Sequence, residues 1–330
     1  MRVLITGGAG FLGQALAAHL LQVGHLRGAD GTDETIDGIT IADVVAAPQL
    51  AGDARVTQVT GDITDRALLE RAVDRQTTAV FHLAAVVSGQ AEADFDLGMR
   101  VNVDGTRALL DVCRAAGHRP RVVFASSVAV YGGDLPPVVL DSTPLTPQSS
   151  YGVQKAIGEL LVSDYTRKGF IDGRSLRLPT VTVRPGKPNA AASSFASGII
   201  REPINGETAV CPVDNGTTMW VISPETAIGC FTHAFELDAA ALGHQRAFNL
   251  PGLSVTVGEM VAALRRVAGE EAAARIRWEP DPRIVRLVET WPGAFEPRRA
   301  LALGFPRDHD FEDIVRAFAD RQRQSRGLSA

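Results

Sequence analysis

Thr6-Gly7-Gly8-Ala9-Gly10-Phe11-Leu12-Gly13 is the stretch on which the fold turns. The residues from Arg2 to Thr6 before it read as a short buried strand. Those after it repeat apolar side chains at helical spacing, through Leu12, Leu16, Leu20 and Val23. Gly7, Gly10 and Gly13 therefore occupy a strand-to-helix turn with GxxGxxG spacing. One glycine makes the tight turn, one lets the backbone approach a pyrophosphate, and one lets the helix pack on the strand. Free N–H groups at the positive end of the helix then face the phosphates. On this reading Gly7, Gly10, Phe11, Leu12 and Gly13 bind a dinucleotide.

The pattern continues outward from that turn. Strands are expected over residues 39–45, 55–59, 78–85, 121–126 and 174–183, and helices over 68–75, 95–116 and 151–168. This alternation predicts an α/β fold, a Rossmann-type doubly wound parallel sheet with helices on both faces. After Arg184 prolines and glycines become frequent, and only residues 256–268 and 311–322 read clearly as helix. A smaller irregular C-terminal substrate domain is therefore expected from residues 185–222 and 251–330. Regular periodicity between 223 and 250 returns the chain to the sheet, so residues 1–184 and 223–250 form the nucleotide-binding domain. Residues 27–38, polar and rich in glycine, read as a loop insertion.

In a dinucleotide fold an acidic residue about 20 residues on ends the second strand and holds the ribose hydroxyls. Asp43 has that place, 30 residues past Gly13, and the insertion accounts for the excess. Val44 and Val45 follow it, with no arginine to accept a 2′-phosphate, which favours NAD over NADP. Asp62 and Ile63, after the third strand, are positioned to meet the adenine.

Tyr151 and Lys155 stand four residues apart and share one helix face. A free tyrosine has a pKa near about 10 and is a poor base at neutral pH. A lysine cation beside it, with the positive nicotinamide ring, stabilises the phenolate. Ser126-Ser127-Val128-Ala129-Val130-Tyr131-Gly132 ends a strand upstream, with Ser127 24 residues before Tyr151.

In this order the three features resemble the extended short-chain dehydrogenase/reductase family, the NAD-dependent epimerase/dehydratase group. The resemblance runs from Met1 to near Leu250. It implies that Ser127 binds the substrate oxygen, that Tyr151 is the base and that Lys155 binds the nicotinamide ribose. It also implies that Leu83, Ala84 and Ala85 line the cofactor, with Pro179 beside them, and that Asn102 of Val101-Asn102-Val103-Asp104-Gly105-Thr106 acts in catalysis and cofactor binding. His82 reads as a satisfied core histidine.

Residues 178–189, with Ser194-Phe195 and Ile199-Ile200-Arg201-Glu202-Pro203, resemble a sugar-acid dehydrogenase branch of that family. This implies oxidation of the 2-hydroxyl of a four-carbon sugar acid to the 2-oxo acid, with formation of NADH. Thr180, Arg184 and Lys187 are then expected at the substrate, the two cations for its carboxylate. Arg201 is a weaker candidate, since its place on a helix can face solvent. One alternative is a nucleotide-sugar epimerase or dehydratase. Those enzymes usually carry asparagine where this chain has Thr180, and an arginine clamp near residues 217–223, which here read Thr-Thr-Met-Trp-Val-Ile-Ser. The other is a non-catalytic NAD-binding regulator, against which the intact Ser127, Tyr151 and Lys155 stand.

Composition removes several classes. The net charge is −5 with no basic cluster, which argues against a nucleic-acid partner. No apolar run reaches the roughly 18 residues of a membrane span. Cys113, Cys211 and Cys230 make neither a disulfide framework nor a CxxC pair, and no HExxH spacing suggests a metal. The N-terminus turns into glycines at once, unlike a signal peptide, so the expected compartment is the cytoplasm. The family resemblance makes the helices at 95–116 and 151–168 a plausible homodimer face.

Overall fold

Val3, Leu4 and Ile5 are all buried, and the strand they form, β1 (Arg2–Thr6), lies near the middle of a parallel sheet. The structure, a computed structural model, describes residues 1–29, 31–186, 192–325 and 327. In chain order β1 is followed by α1 (Phe11–Val23), β2 (Gly38–Asp43), β3 (Val56–Thr60), α2 (Arg66–Ala72), β4 (Thr77–His82), α3 (Gly105–Ala116), β5 (Arg121–Ser127) and α4 (Ser150–Arg167). Then come β6 (Asp172–Leu178), β7 (Thr180–Val181), α5 (Ser194–Ile204), β8 (Thr218–Ile222) and α6 (Pro224–Glu236). β9 (Ala247–Asn249), β10 (Leu253–Thr256), α7 (Val257–Ala268) and α8 (Phe311–Ser325) follow.

Seven strands pair in parallel in the order β9-β6-β5-β4-β1-β2-β3. The order reverses between β1 and β4, where a ligand crevice forms at the carboxyl ends of the strands. Alternate strand residues point to opposite faces. Ile5, Phe81 and Val123 meet Leu16 and Leu20 of α1 and Phe231 of α6. Leu4, Val80 and Val122 meet Leu68 of α2, Leu109 of α3 and Val162 of α4 on the other side. The sheet is covered on both faces.

A second core gathers Val183, Ile199, Val221, Met260, Leu264, Ile314 and Phe318. It is built on the small sheet β7-β8-β10 and helices α5, α7 and α8. The late chain also returns to the first core, where Ala300 and Phe305 pack.

Three local expectations are corrected. The insertion holds an antiparallel hairpin, His25–Arg27 with Asp33–Thr35, rather than only loop. The strand expected over 174–183 breaks at Pro179, which has no N–H for the ladder, and β7 joins the small sheet. The long helix expected over 95–116 contains a π-helical turn, Met99–Asp104, ahead of α3.

Candidate active site

The chain leaves β1 through Gly7, whose φ of +68° lies in the left-handed region. A Cβ on Gly7 would come within 2.6 Å of the Ala84 nitrogen, so the turn packs directly on the loop after β4. Gly13 packs as tightly, because a Cβ there would run into the Gly7 carbonyl. Gly10 caps α1 without a side-chain bond to the first turn, and those N–H groups are left for a ligand. Gly7, Gly10, Phe11, Leu12 and Gly13 line a cavity of about 780 Å³, near the top of the roughly 300–1,000 Å³ range of small-molecule sites.

Asp43 ends β2 on the same cavity. Its carboxylate accepts from the Ala9 N–H at 3.0 Å and the Val45 N–H at 3.3 Å, so it also braces the glycine turn. Asp62 and Ile63 line the cavity after β3. The Thr64 backbone N–H and hydroxyl both donate to Asp62 and hold its carboxyl below the usual carboxylate range. Leu83, Ala84 and Ala85 form the wall beyond β4, and Pro179 and Thr180 enter from the opposite side.

Asn102 is not brought to the cavity. Its π-helical turn buries it behind the wall, where Oδ1 accepts from the Val86 N–H at 2.8 Å. Its Nδ2 donates to the Val86 carbonyl at 3.1 Å and to Gln154 Oε1 at 2.7 Å. The expectation of direct contact is thus corrected: Asn102 latches a cavity-wall residue to the α4 helix. His82 is fully buried between Thr6 Oγ1 at 2.7 Å and Thr106 Oγ1 at 2.9 Å, and burial holds its imidazole down to about 3.

Ser127, at the end of β5, accepts the Ala129 N–H at 3.1 Å, which leaves its own proton free to donate. Ser149 caps α4 by accepting from the Gly152 N–H at 3.2 Å, and half-buried Tyr151 and buried Lys155 follow on that helix. Gly152 and Gly158 let α4 approach closely; a Cβ on Gly158 would meet the Phe124 ring at 2.6 Å. Ser127, Tyr151 and Lys155 all line the cavity. Lys155 Nζ donates to the Ala125 carbonyl at 2.8 Å and lies 5.6 Å from the centre of the Tyr151 ring.

Burial pushes the Tyr151 phenol up to about 12, opposed first by the Arg184 cation and then by a hydrogen bond with Ser127. Burial pushes the Lys155 ammonium down to about 7, opposed by the charge of Glu159. In the protein alone, the leading cation at the phenol is therefore Arg184, where Lys155 was expected.

Arg184 is half-buried on the cavity wall. Its Nε donates to the Val181 carbonyl at 3.0 Å and its Nη2 to Ser193 Oγ at 3.0 Å. Among the described residues no carboxylate pairs with it. Arg201 is buried rather than solvent-facing, and donates to the Arg184 carbonyl at 2.8 Å and to Glu202 at 2.6 Å. Lys187 lies outside the described residues. Trp291, Ser193 and Arg100 also line the cavity. The sequence reading missed Arg100 and Ser193 beside residues it named, and Trp291 because it reaches the cavity from a segment distant in the chain. Among the described residues no group of three His, Cys, Asp or Glu could hold a metal, and no helix is long and apolar enough to cross a membrane.

Residues 3–220 match the model of the NAD dependent epimerase/dehydratase family. The chain belongs to that family. Its cofactor is NAD, and the side-chain-free cradle at Gly10 fits the pyrophosphate of that group. The chain is 62% identical to a D-erythronate dehydrogenase of Cupriavidus necator over 97% of this chain and 98% of the relative. It is 45% identical to another of Haemophilus influenzae, over 97% and 99%. A solved structure described as a nucleoside-diphosphate-sugar epimerase from Agrobacterium tumefaciens shares 44% identity and a TM-score of 0.91, covering 100% of this chain and 95% of that one.

Proposed function

We propose that the protein is an NAD-dependent dehydrogenase that oxidises the 2-hydroxyl of D-erythronate to 2-dehydro-D-erythronate. The observation that carries the substrate is Arg184: a guanidinium without a carboxylate partner among the described residues, on the cavity wall and acting electrostatically on Tyr151. On this reading Arg184 takes the carboxylate, and the hydroxyl on the adjacent carbon is the one presented to Tyr151. The names of the two relatives agree with a four-carbon sugar acid.

Ser127 donates to the substrate oxygen and Tyr151 takes the hydroxyl proton. Lys155 holds the nicotinamide ribose and adds positive charge near the phenol. NAD, when bound, would supply the acceptor for the hydride lost from the carbon that bears the hydroxyl. Asp43 holds the adenosine ribose and selects against a 2′-phosphate. Thr180 and Trp291 bound the substrate.

Residues 1–184 and 223–250 form the cofactor domain, and 185–222 with 251–330 the substrate domain. Two separate cores support this division, although Val183, Ile222, Ala300 and Phe305 cross it. Exposed apolar side chains on the two long helical segments, Phe95, Val153 and Leu160, support a homodimer. Cys113, Cys211 and Cys230 are buried free thiols, which suit the reducing cytoplasm.

A nucleoside-diphosphate sugar is the second reading, favoured by the description of the Agrobacterium structure. A panel of short sugar acids and UDP-sugars, followed by NADH absorbance, separates the two. Turnover of D-erythronate with indifference to UDP-sugars is expected. Efficient turnover of a UDP-sugar with no activity on any short acid overturns the proposal.

A further inference from the structure

The buried stripe of α4 carries an acid as well as a base. Glu159 lies one helical turn beyond Lys155, and the two are 5% and 2% exposed. A carboxylate and an ammonium at these positions face protein rather than water, so fixed neighbours decide their charges.

Lys155 Nζ sits against the Ala125 carbonyl and 4.8 Å from the centre of the Phe124 ring, with no carboxylate in salt-bridge contact among the described residues. Around it, from α4, come Tyr151 and Glu159. His82 faces it from β4, buried and neutral. Arg177 stands on β6, and Arg184 beyond β7 acts on Tyr151. Glu159 is the acid whose charge bears on the lysine.

Glu159 is also fixed in place. Arg177 donates through Nε at 2.9 Å and 3.1 Å and through Nη2 at 2.7 Å, and Ser126 Oγ donates at 2.5 Å. Arg177 is tied in turn by Nη1 to Tyr131 Oη at 2.6 Å and Asn249 Oδ1 at 3.3 Å. Two residues thus hold the carboxylate directly, and Tyr131 and Asn249 hold one of them in turn. The carboxylate cannot swing toward Lys155, and acts on it as a stationary negative charge.

We propose that Glu159 is a positioning residue of the reaction, whose fixed carboxylate keeps Lys155 an ammonium during turnover. This rests on the reading of Lys155 as the cation that serves Tyr151. A purely structural Glu159 would bolt α4 to β6 and have no effect on the charge of the lysine.

The sequence holds only three lysines, Lys155, Lys168 and Lys187, so Lys155 can be followed alone by 13Cε NMR, with Lys155→Met giving the assignment. This titration needs no substrate and remains decisive if the substrate assignment fails. In Glu159→Gln the titration midpoint of Lys155 should fall by about one pH unit or more, the scale set by a neighbouring charge. Glu159→Asp should restore it. The alkaline limb of kcat/KM for D-erythronate should move down with the midpoint. If Glu159→Gln does not fold, the double variant Glu159→Met, Arg177→Met replaces the ion pair with an apolar one and should show the same downward shift. An unchanged midpoint overturns the proposal. So does a midpoint that moves while the alkaline limb stays in place.

Discussion

The two ends of the cavity are built by different means. At the cofactor end, backbone and small residues make the surface: Gly7, Gly10 and Gly13 on one side, Ala84 and Ala85 on the other. At the end proposed for the substrate, Arg184 is a long side chain held by Val181 and Ser193, and Trp291 reaches the cavity from late in the chain. The first end is specified by spacing within a few residues. The second exists only after the chain has folded across two cores. A surface common to all substrates of a family can be made of backbone, whereas one that selects a particular acid needs charge and bulk.

The sharpest way to break this comparison is at its junction, Tyr151. Tyr151→Phe removes the base and leaves the glycine cradle intact. Turnover should fall by at least about 10²-fold, the scale of general base catalysis, while NAD still binds by calorimetry. A variant with near-normal turnover would assign the proton to another group.

Next in size is the substrate end alone. Arg184→Met should cost about 1.5–3 kcal/mol of interaction, roughly 10- to 100-fold in KM for the acid. Affinity for NAD measured without substrate should not change. If NAD affinity falls equally, the two ends are not independent.

A smaller effect is expected at the wall between them. Asn102→Ala leaves the Val86 N–H and carbonyl without their partner, at a cost of about 1–3 kcal/mol in stability. The fall should appear in urea unfolding and as a raised KM for NAD, with kcat nearly kept. A loss confined to kcat would return Asn102 to the chemistry.

The smallest concerns the far cofactor end. Asp43→Ala should weaken NAD and narrow the preference over NADP, read from the two kcat/KM values. Equal values in the wild type would remove the ribose role of Asp43.

Much of the cofactor end was legible in the sequence because it depends on local rules. A strand, a glycine turn and a helix follow each other within about two helical turns, and Tyr151 and Lys155 share a face by helix geometry alone. The same geometry extended one turn further reaches Glu159, so a charged stripe at i, i+4 and i+8 was visible but not drawn. Asn102 was found by motif, yet a π-helical turn shifts the register of side chains, and no residue type announces such a turn. Arg201 follows the apolar Ile199 and Ile200, but only the packing of α5 sets it against Arg184. Trp291 carried no local signal at all. It lies more than a hundred residues beyond Tyr151 in the chain and meets the cavity through the second core.

That last placement gives the protein a built-in optical probe. Of its three tryptophans, Trp220 is packed in a buried cluster and Trp278 is 44% exposed, while Trp291 lines the cavity. Emission from Trp291 should therefore respond when a ligand fills the cavity. Occupancy can then be followed in real time with no label attached.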